Sequence, residues 1–133
     1  MSSKSRRKGQ EGEREFLAFL TERIPSLEGN AHRNYDQAAL GGADLVGIPE
    51  IALEIKRYAK GNVYRMEWWE QACRSAKQSA LVPVLAYRFD RTPWSVVCPL
   101  EWMGGEPVCH ALERVAVKPA EIWVQELIKR VQL

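Results

Sequence analysis

The chain has 133 residues, 46% hydrophobic and 27% charged, with 19 basic against 17 acidic side chains for a net charge of +2. That is one domain's worth of chain, able to bury roughly two-thirds of its unfolded surface, and its ordinary composition excludes a disordered or fibrous polymer. Three cysteines with no Cys-x-x-Cys pair exclude a disulfide framework, the isolated Cys109–His110 pair lacks zinc-site spacing, and no apolar run is long enough to cross a bilayer, so a soluble cytoplasmic protein is expected.

Residues 1–8 are polar and basic, with Lys4, Arg6, Arg7 and Lys8, and are expected to form a flexible tail ahead of a single domain over 9–133. Phe16, Leu17, Leu20 and Ile24 recur at helical spacing and predict a helix over 10–23, stopped by Pro25. Glu13 precedes Leu17 and Leu20 by one and two turns, so it lies along the buried edge of that helix. An acid is out of place there unless something cationic meets it. A short strand over 31–35 and a loop over 36–42 lead into two apolar runs broken by Gly47-Ile48-Pro49-Glu50, which read as a hairpin.

Beyond the hairpin, Gly61-Asn62 marks a basic loop over 58–64. Met66, Trp69, Cys73, Ala76 and Ala80 draw the apolar stripe of a second helix over 66–79. Residues 81–88 read as a buried strand whose Pro83 pushes its start towards a sheet edge. A turn at Asp90-Arg91-Thr92-Pro93 enters a strand over 94–98, and 99–103 reads as a helical turn. The pattern is then weak until Pro119, which opens an amphipathic helix over 120–131. Helix, strands, helix, strands, helix in this order imply an α/β domain: a mixed central β-sheet flanked by helices, with the acid-bearing hairpin at its centre.

The hairpin carries the chemistry. Side chains alternate faces along a strand, so Ile51, Leu53 and Ile55 point into a core while Glu54 and Lys56 share the other face. If the hairpin folds symmetrically about Pro49, Asp44 lies opposite Glu54, and cross-strand neighbours have Cβ atoms roughly 4.5–5.5 Å apart. Two carboxylates at that distance suit Mg²⁺, which takes hard oxygen ligands, water and substrate phosphate. A cation so held polarises a phosphoryl group and activates water, and Lys56 stands where negative charge would grow. Taken alone, Glu-x-Lys on a strand also reads as a solvated ion pair.

Basic side chains cluster at the N-terminus, with Arg7, Lys8 and Arg14, and again around the hairpin, with Lys56, Arg57, Lys60 and Arg65. Such clusters steer polyanions even at modest net charge, and Arg57, Lys60 and Arg65 are candidate phosphate contacts. Trp69, Trp94 and Trp123 fit apolar faces, whereas Trp68 beside the basic loop is a candidate base-stacking platform.

Arg7-Lys8-Gly9, Glu13-Arg14-Glu15-Phe16-Leu17, Arg33, Asp44-Leu45-Val46, Glu54-Ile55-Lys56 and Pro83-Val84-Leu85-Ala86 occur in this order. Together they resemble the archaeal-type Holliday junction resolvases and related phage enzymes of the PD-(D/E)XK nuclease superfamily, from about Arg7 to Val97. The resemblance implies a restriction-endonuclease-like core in which Asp44 and Glu54 ligate Mg²⁺, with Mn²⁺ able to substitute. Glu13 would reach the same metal directly or through water, and Lys56 would serve the attacking water and scissile phosphate. Arg14 and Arg33 match positions that hold the phosphate backbone. Trp68-Trp69-Glu70-Gln71 resembles a helix motif of phage nucleases whose glutamine lies near the site. A homodimer acting symmetrically on a four-way junction is implied, in a host cell's cytoplasm if the protein is phage-encoded, with neither a membrane nor a small-molecule cofactor. Two other readings stay open: a nuclease of duplex, nicked or flapped DNA in repair or restriction, and a DNA-binding subunit that does not cut.

Overall fold

The computed structural model describes residues 3–35, 41–100 and 114–133. Among the described residues, six strands form one mixed sheet in sequential order: β1 (His32–Arg33), β2 (Leu45–Val46), β3 (Ile51–Tyr58), β4 (Val82–Phe89), β5 (Ser95–Pro99) and β6 (Val115–Pro119). Only β3 and β4 run parallel, and helix α2 (Met66–Ser79) makes the crossover that parallel neighbours require. Every other pairing is antiparallel. Helices α1 (Ser3–Arg23) and α3 (Ala120–Val131) complete the α/β architecture expected from the element order.

Alternation along β3 and β4 divides the core into two layers. Ile51, Leu53 and Ile55 of β3 join Val82, Val84 and Ala86 of β4 and pack against Phe16 and Leu20 of α1 and Trp123, Val124 and Leu127 of α3. The opposite face meets α2, where Leu85, Tyr87 and Phe89 pack on Trp68, Trp69 and Ala72, and Ala52 packs on Ala76. Gly12 lets α1 lie close to the sheet, because a Cβ there would come within 2.6 Å of the Arg57 Cβ.

Several boundaries differ from the sequence expectation, each for a physical reason. Helix α1 begins at Ser3 rather than near residue 10; Lys8, within the extra turns, reaches both carboxylate oxygens of Asp90 at 3.1 Å. Strand β4 lies inside the sheet, not at an edge. Pro83 is tolerated because the β4–β5 ladder covers only Leu85–Tyr87, leaving the proline beyond it. The stripe of α2 is rotated: Trp68, Trp69, Ala72 and Ala76 are buried, while Met66 is exposed. Strand β6 went unrecognised because Val115–Pro119 is an edge strand with an irregular burial pattern. Residues 36–40 of the expected loop, all but the start of the helical turn after Pro99, and the Cys109–His110 pair lie outside the described residues.

The β2–β3 loop depends on Gly47. Its φ of +87° lies in the left-handed region, and a Cβ there would sit 1.9 Å from the Asn30 carbonyl oxygen. Gly47→Ala should therefore lower stability by about 2 kcal/mol or more, read as a lower denaturant midpoint with an unchanged m-value.

Candidate active site

The hairpin register is the one symmetry about Pro49 implies. Leu45 pairs with Leu53; the ladder ends there, and the Asp44 N–H turns to the same Leu53 carbonyl, while the Asp44 and Glu54 carboxyls lie close enough to interact. Asp44 is held from several sides. Its N–H donates to the Leu53 carbonyl at 3.0 Å, its own carbonyl accepts from Asn34 at 2.9 Å, and its Oδ2 accepts the Ile55 N–H at 2.7 Å. Strand β2 is too short to satisfy Ile55 with a main-chain carbonyl, and a buried N–H must be paired; the Asp44 side chain supplies the acceptor.

Among the described residues, Asp44 and Glu54 are the two buried charged side chains, at 9% and 1% exposure. The face that Glu54 shares with Lys56 is thus not open to solvent at Glu54: α2 covers it. This removes the reading of Glu54-x-Lys56 as a solvated ion pair. Ser75 of α2 donates to Glu54 Oε1 at 3.0 Å, while Oε2 is the one buried side-chain oxygen without a hydrogen-bond partner among the described residues. Burial, chiefly, pushes the Glu54 carboxyl up to about 8; the Asp44 charge and contact with its carboxylate add to this, against the Ser75 hydrogen bond and the Lys56 charge. Two carboxylates face one another in a dry site that favours a proton between them, or a cation.

Glu13 stands half-buried on α1, as its place on the helix edge required. Its Oε2 accepts from Arg33 Nε at 2.9 Å. Burial first, then the Asp44 charge, raise its pKa against the opposing Arg33 interaction. Among the described residues no three His, Cys, Asp or Glu side chains gather closely enough to hold a metal ion. The three acids named from the sequence are therefore brought together only in part: Asp44 and Glu54 meet, and Glu13 is turned to Arg33.

The donor set nevertheless fits a hard divalent cation. It offers two oxygen-bearing side chains, one of them with an orphaned buried oxygen, and Mg²⁺ commonly takes one or two carboxylates with water completing its shell. Asp44 and Glu54 would hold the ion. Lys56 lies half-buried on the same strand face, and its positive charge acts on Glu54.

The remaining basic candidates divide. Arg7, Arg14, Lys60 and Arg65 are exposed. Arg57 and Lys8 are instead engaged within the chain. Arg57, 15% exposed, pairs with Asp90, lies 3.9 Å from Glu15 and donates to the Tyr58 carbonyl at 3.1 Å; Lys8 joins it on Asp90. Arg57 lies on the α1 face, against Gly12, because side chains alternate along β3 and Lys56 takes the other face. Trp68 is not a free stacking platform either: it is buried and stacks on Tyr58 at 4.9 Å and 8° between planes. Tyr35 is exposed, and Arg33, which pairs with Glu13, lies 5.8 Å from its ring centroid.

The sequence reading missed Ser75. A faint signal existed: Ser75 follows Gln71 by four residues, so the two share a helix face. A lone serine on a helix carries no chemical signature until the strand beneath it is known.

A family model described as "Phage putative PDDEXK endonuclease" matches residues 4–125 of the chain. Among solved structures, Hjc of Archaeoglobus fulgidus, described as a Holliday junction resolvase from an archaeal hyperthermophile, is 21% identical over 63% of this chain and 70% of that one, with a TM-score of 0.46. No curated protein matches.

Proposed function

Because the chain belongs to the phage PDDEXK endonuclease family, we propose that it is a Mg²⁺-dependent structure-selective DNA endonuclease that cuts four-way junctions as a homodimer. The observation that carries the catalytic part is the buried Asp44–Glu54 pair with its unsatisfied Oε2. Holding two carboxyls against each other in the core costs free energy. That cost is hard to account for in a subunit that binds DNA without cutting it. A cation between the two acids offsets it and repays it as catalysis.

The residues divide the work. Asp44 and Glu54 present oxygens to the metal, which when bound would polarise the scissile phosphate and lower the pKa of an attacking water. Lys56, on the stiff central strand β3, would orient that water and meet charge growing on the phosphate. Glu13, half-buried and within reach of the Asp44 charge, would accept a proton or hold an outer water. Arg33 bridges Glu13 towards the exposed surface, where a phosphate can share its guanidinium. The ordered motifs from Arg7 to Val97 favour a branched substrate, which would be recognised through phosphate positions and shape rather than base edges.

Incubation with a four-way junction, a flap and linear duplex, each with Mg²⁺ or with chelator, tests this. Paired symmetric nicks near the branch point, lost in chelator, are the expected result. Equal cutting of linear duplex would favour the repair or restriction reading, and a gel shift without nicks would exclude a nuclease. Salt titration of junction binding separates the basic residues. Arg33→Ala and Arg65→Ala should each reduce the slope of log affinity against log salt by about one. Arg57→Ala, whose guanidinium Asp90 already holds, should leave that slope unchanged.

A further inference from the structure

We propose that Ser75 is a positioning residue that presents Glu54 to the metal, an inference that rests on the nuclease reading of the Asp44–Glu54 site. Its hydroxyl donates to Glu54 Oε1 at 3.0 Å, and the other oxygen, Oε2, is left buried with no donor. A carboxylate turns easily about its terminal bond, where rotamer preferences are broad and nearly two-fold. The Ser75 hydrogen bond therefore favours one of the two orientations of the carboxylate. Glu54 is 1% exposed, so bulk water is not at hand to replace the Ser75 hydroxyl.

The serine is itself held in place. Helix α2 is anchored on the sheet by Trp69 and Ala76, and Ala76 adjoins Ser75 in sequence. Ser75 therefore reaches Glu54 from a fixed backbone, and the preference it imposes persists when the chain is free of metal. Partners of this kind, which do not touch the ion, commonly change metal affinity 10–100-fold when removed.

Mn²⁺ binding to the full chain, followed by loss of the free-ion electron paramagnetic resonance signal, provides a readout independent of cleavage. Ser75→Ala is expected to weaken binding by roughly 10–100-fold, with circular dichroism and junction affinity in chelator unchanged. Ser75→Thr, which keeps the hydroxyl, should bind within a few-fold of wild type. Ser75→Cys, close in size but a poor donor, should resemble Ser75→Ala. Cleavage by Ser75→Ala should recover towards the wild-type maximum as metal is raised.

Wild-type Mn²⁺ affinity in Ser75→Ala overturns the proposal and leaves the nuclease reading intact. So does an equal loss in Ser75→Thr and Ser75→Ala, since size rather than the hydroxyl would then matter. If the wild-type chain binds no more Mn²⁺ than Asp44→Asn does, the nuclease reading and the proposal fail together.

Discussion

Asp44→Asn and Glu54→Gln are each expected to reduce DNA cleavage by on the order of 10³-fold or more while leaving junction affinity in chelator near the wild-type value. Both changes preserve shape and remove a charge that the proposed metal would need. Polarising a phosphoryl group and lowering the pKa of water are worth several kcal/mol of barrier, and each ~1.4 kcal/mol is a factor of ten in rate. Asp44→Asn has a structural side-effect to control for. The Asp44 carboxylate also accepts the Ile55 N–H at 2.7 Å, and an asparagine must keep its amide oxygen on that donor. Its melting temperature should therefore be measured alongside the nicking rate. A variant that is folded, binds the junction and still cuts at the normal rate would remove its residue from the site.

Glu54→Gln is also expected to make the metal-free protein more stable, by an amount that grows with pH. The Glu54 carboxyl is pushed up from an ordinary 4.5 to about 8, chiefly by burial and then by the Asp44 charge. Between those values the folded chain holds a proton that the unfolded chain has released. Stability thus falls as pH rises through this window and levels off above it. Glutamine is neutral at every pH, and its amide can donate to Asp44, so the variant escapes the loss. In chelator at about pH 4 the two proteins should melt nearly together, because the wild-type carboxyl is then mostly neutral in both states. At about pH 9 the variant should melt higher by on the order of 5–10 °C, corresponding to a few kcal/mol for a domain of this size. Mg²⁺ should narrow that gap by stabilising the wild-type chain alone. Coincident melting at both pH values would mean that the carboxyl is ionised at little cost, which contradicts its burial.

These two results pull in opposite directions. The same substitution is expected to destroy activity and improve stability, a trade-off that arises where like charges are buried together for catalysis. The pair costs the free chain stability in the absence of a cation. Those two outcomes together would explain Asp44 and Glu54 by function rather than by folding.

Much of this was legible from residue order alone. Alternation is local, so Ile51, Leu53 and Ile55 could be assigned to one face of a strand and Glu54 and Lys56 to the other without coordinates. The loop at Gly47–Glu50 set the register, because a short hairpin leaves few ways to pair its arms. The limits of α2 and α3 followed from strong amphipathic patterns, and the family motifs pointed to metal-dependent chemistry. What the one-dimensional pattern left open was long-range. Burial of Glu54 required α2 to lie across β3, and Ser75 became its partner only through that contact between residues 21 positions apart. Arg57 read as a free cation until Asp90 and Glu15 closed on it from distant segments. Glu13 was correctly placed on a half-buried edge, yet its turn towards Arg33 depended on β1 passing beside α1. Local spacing determines which way a side chain leaves the backbone; only the packing of distant elements decides what it meets and how much water remains there.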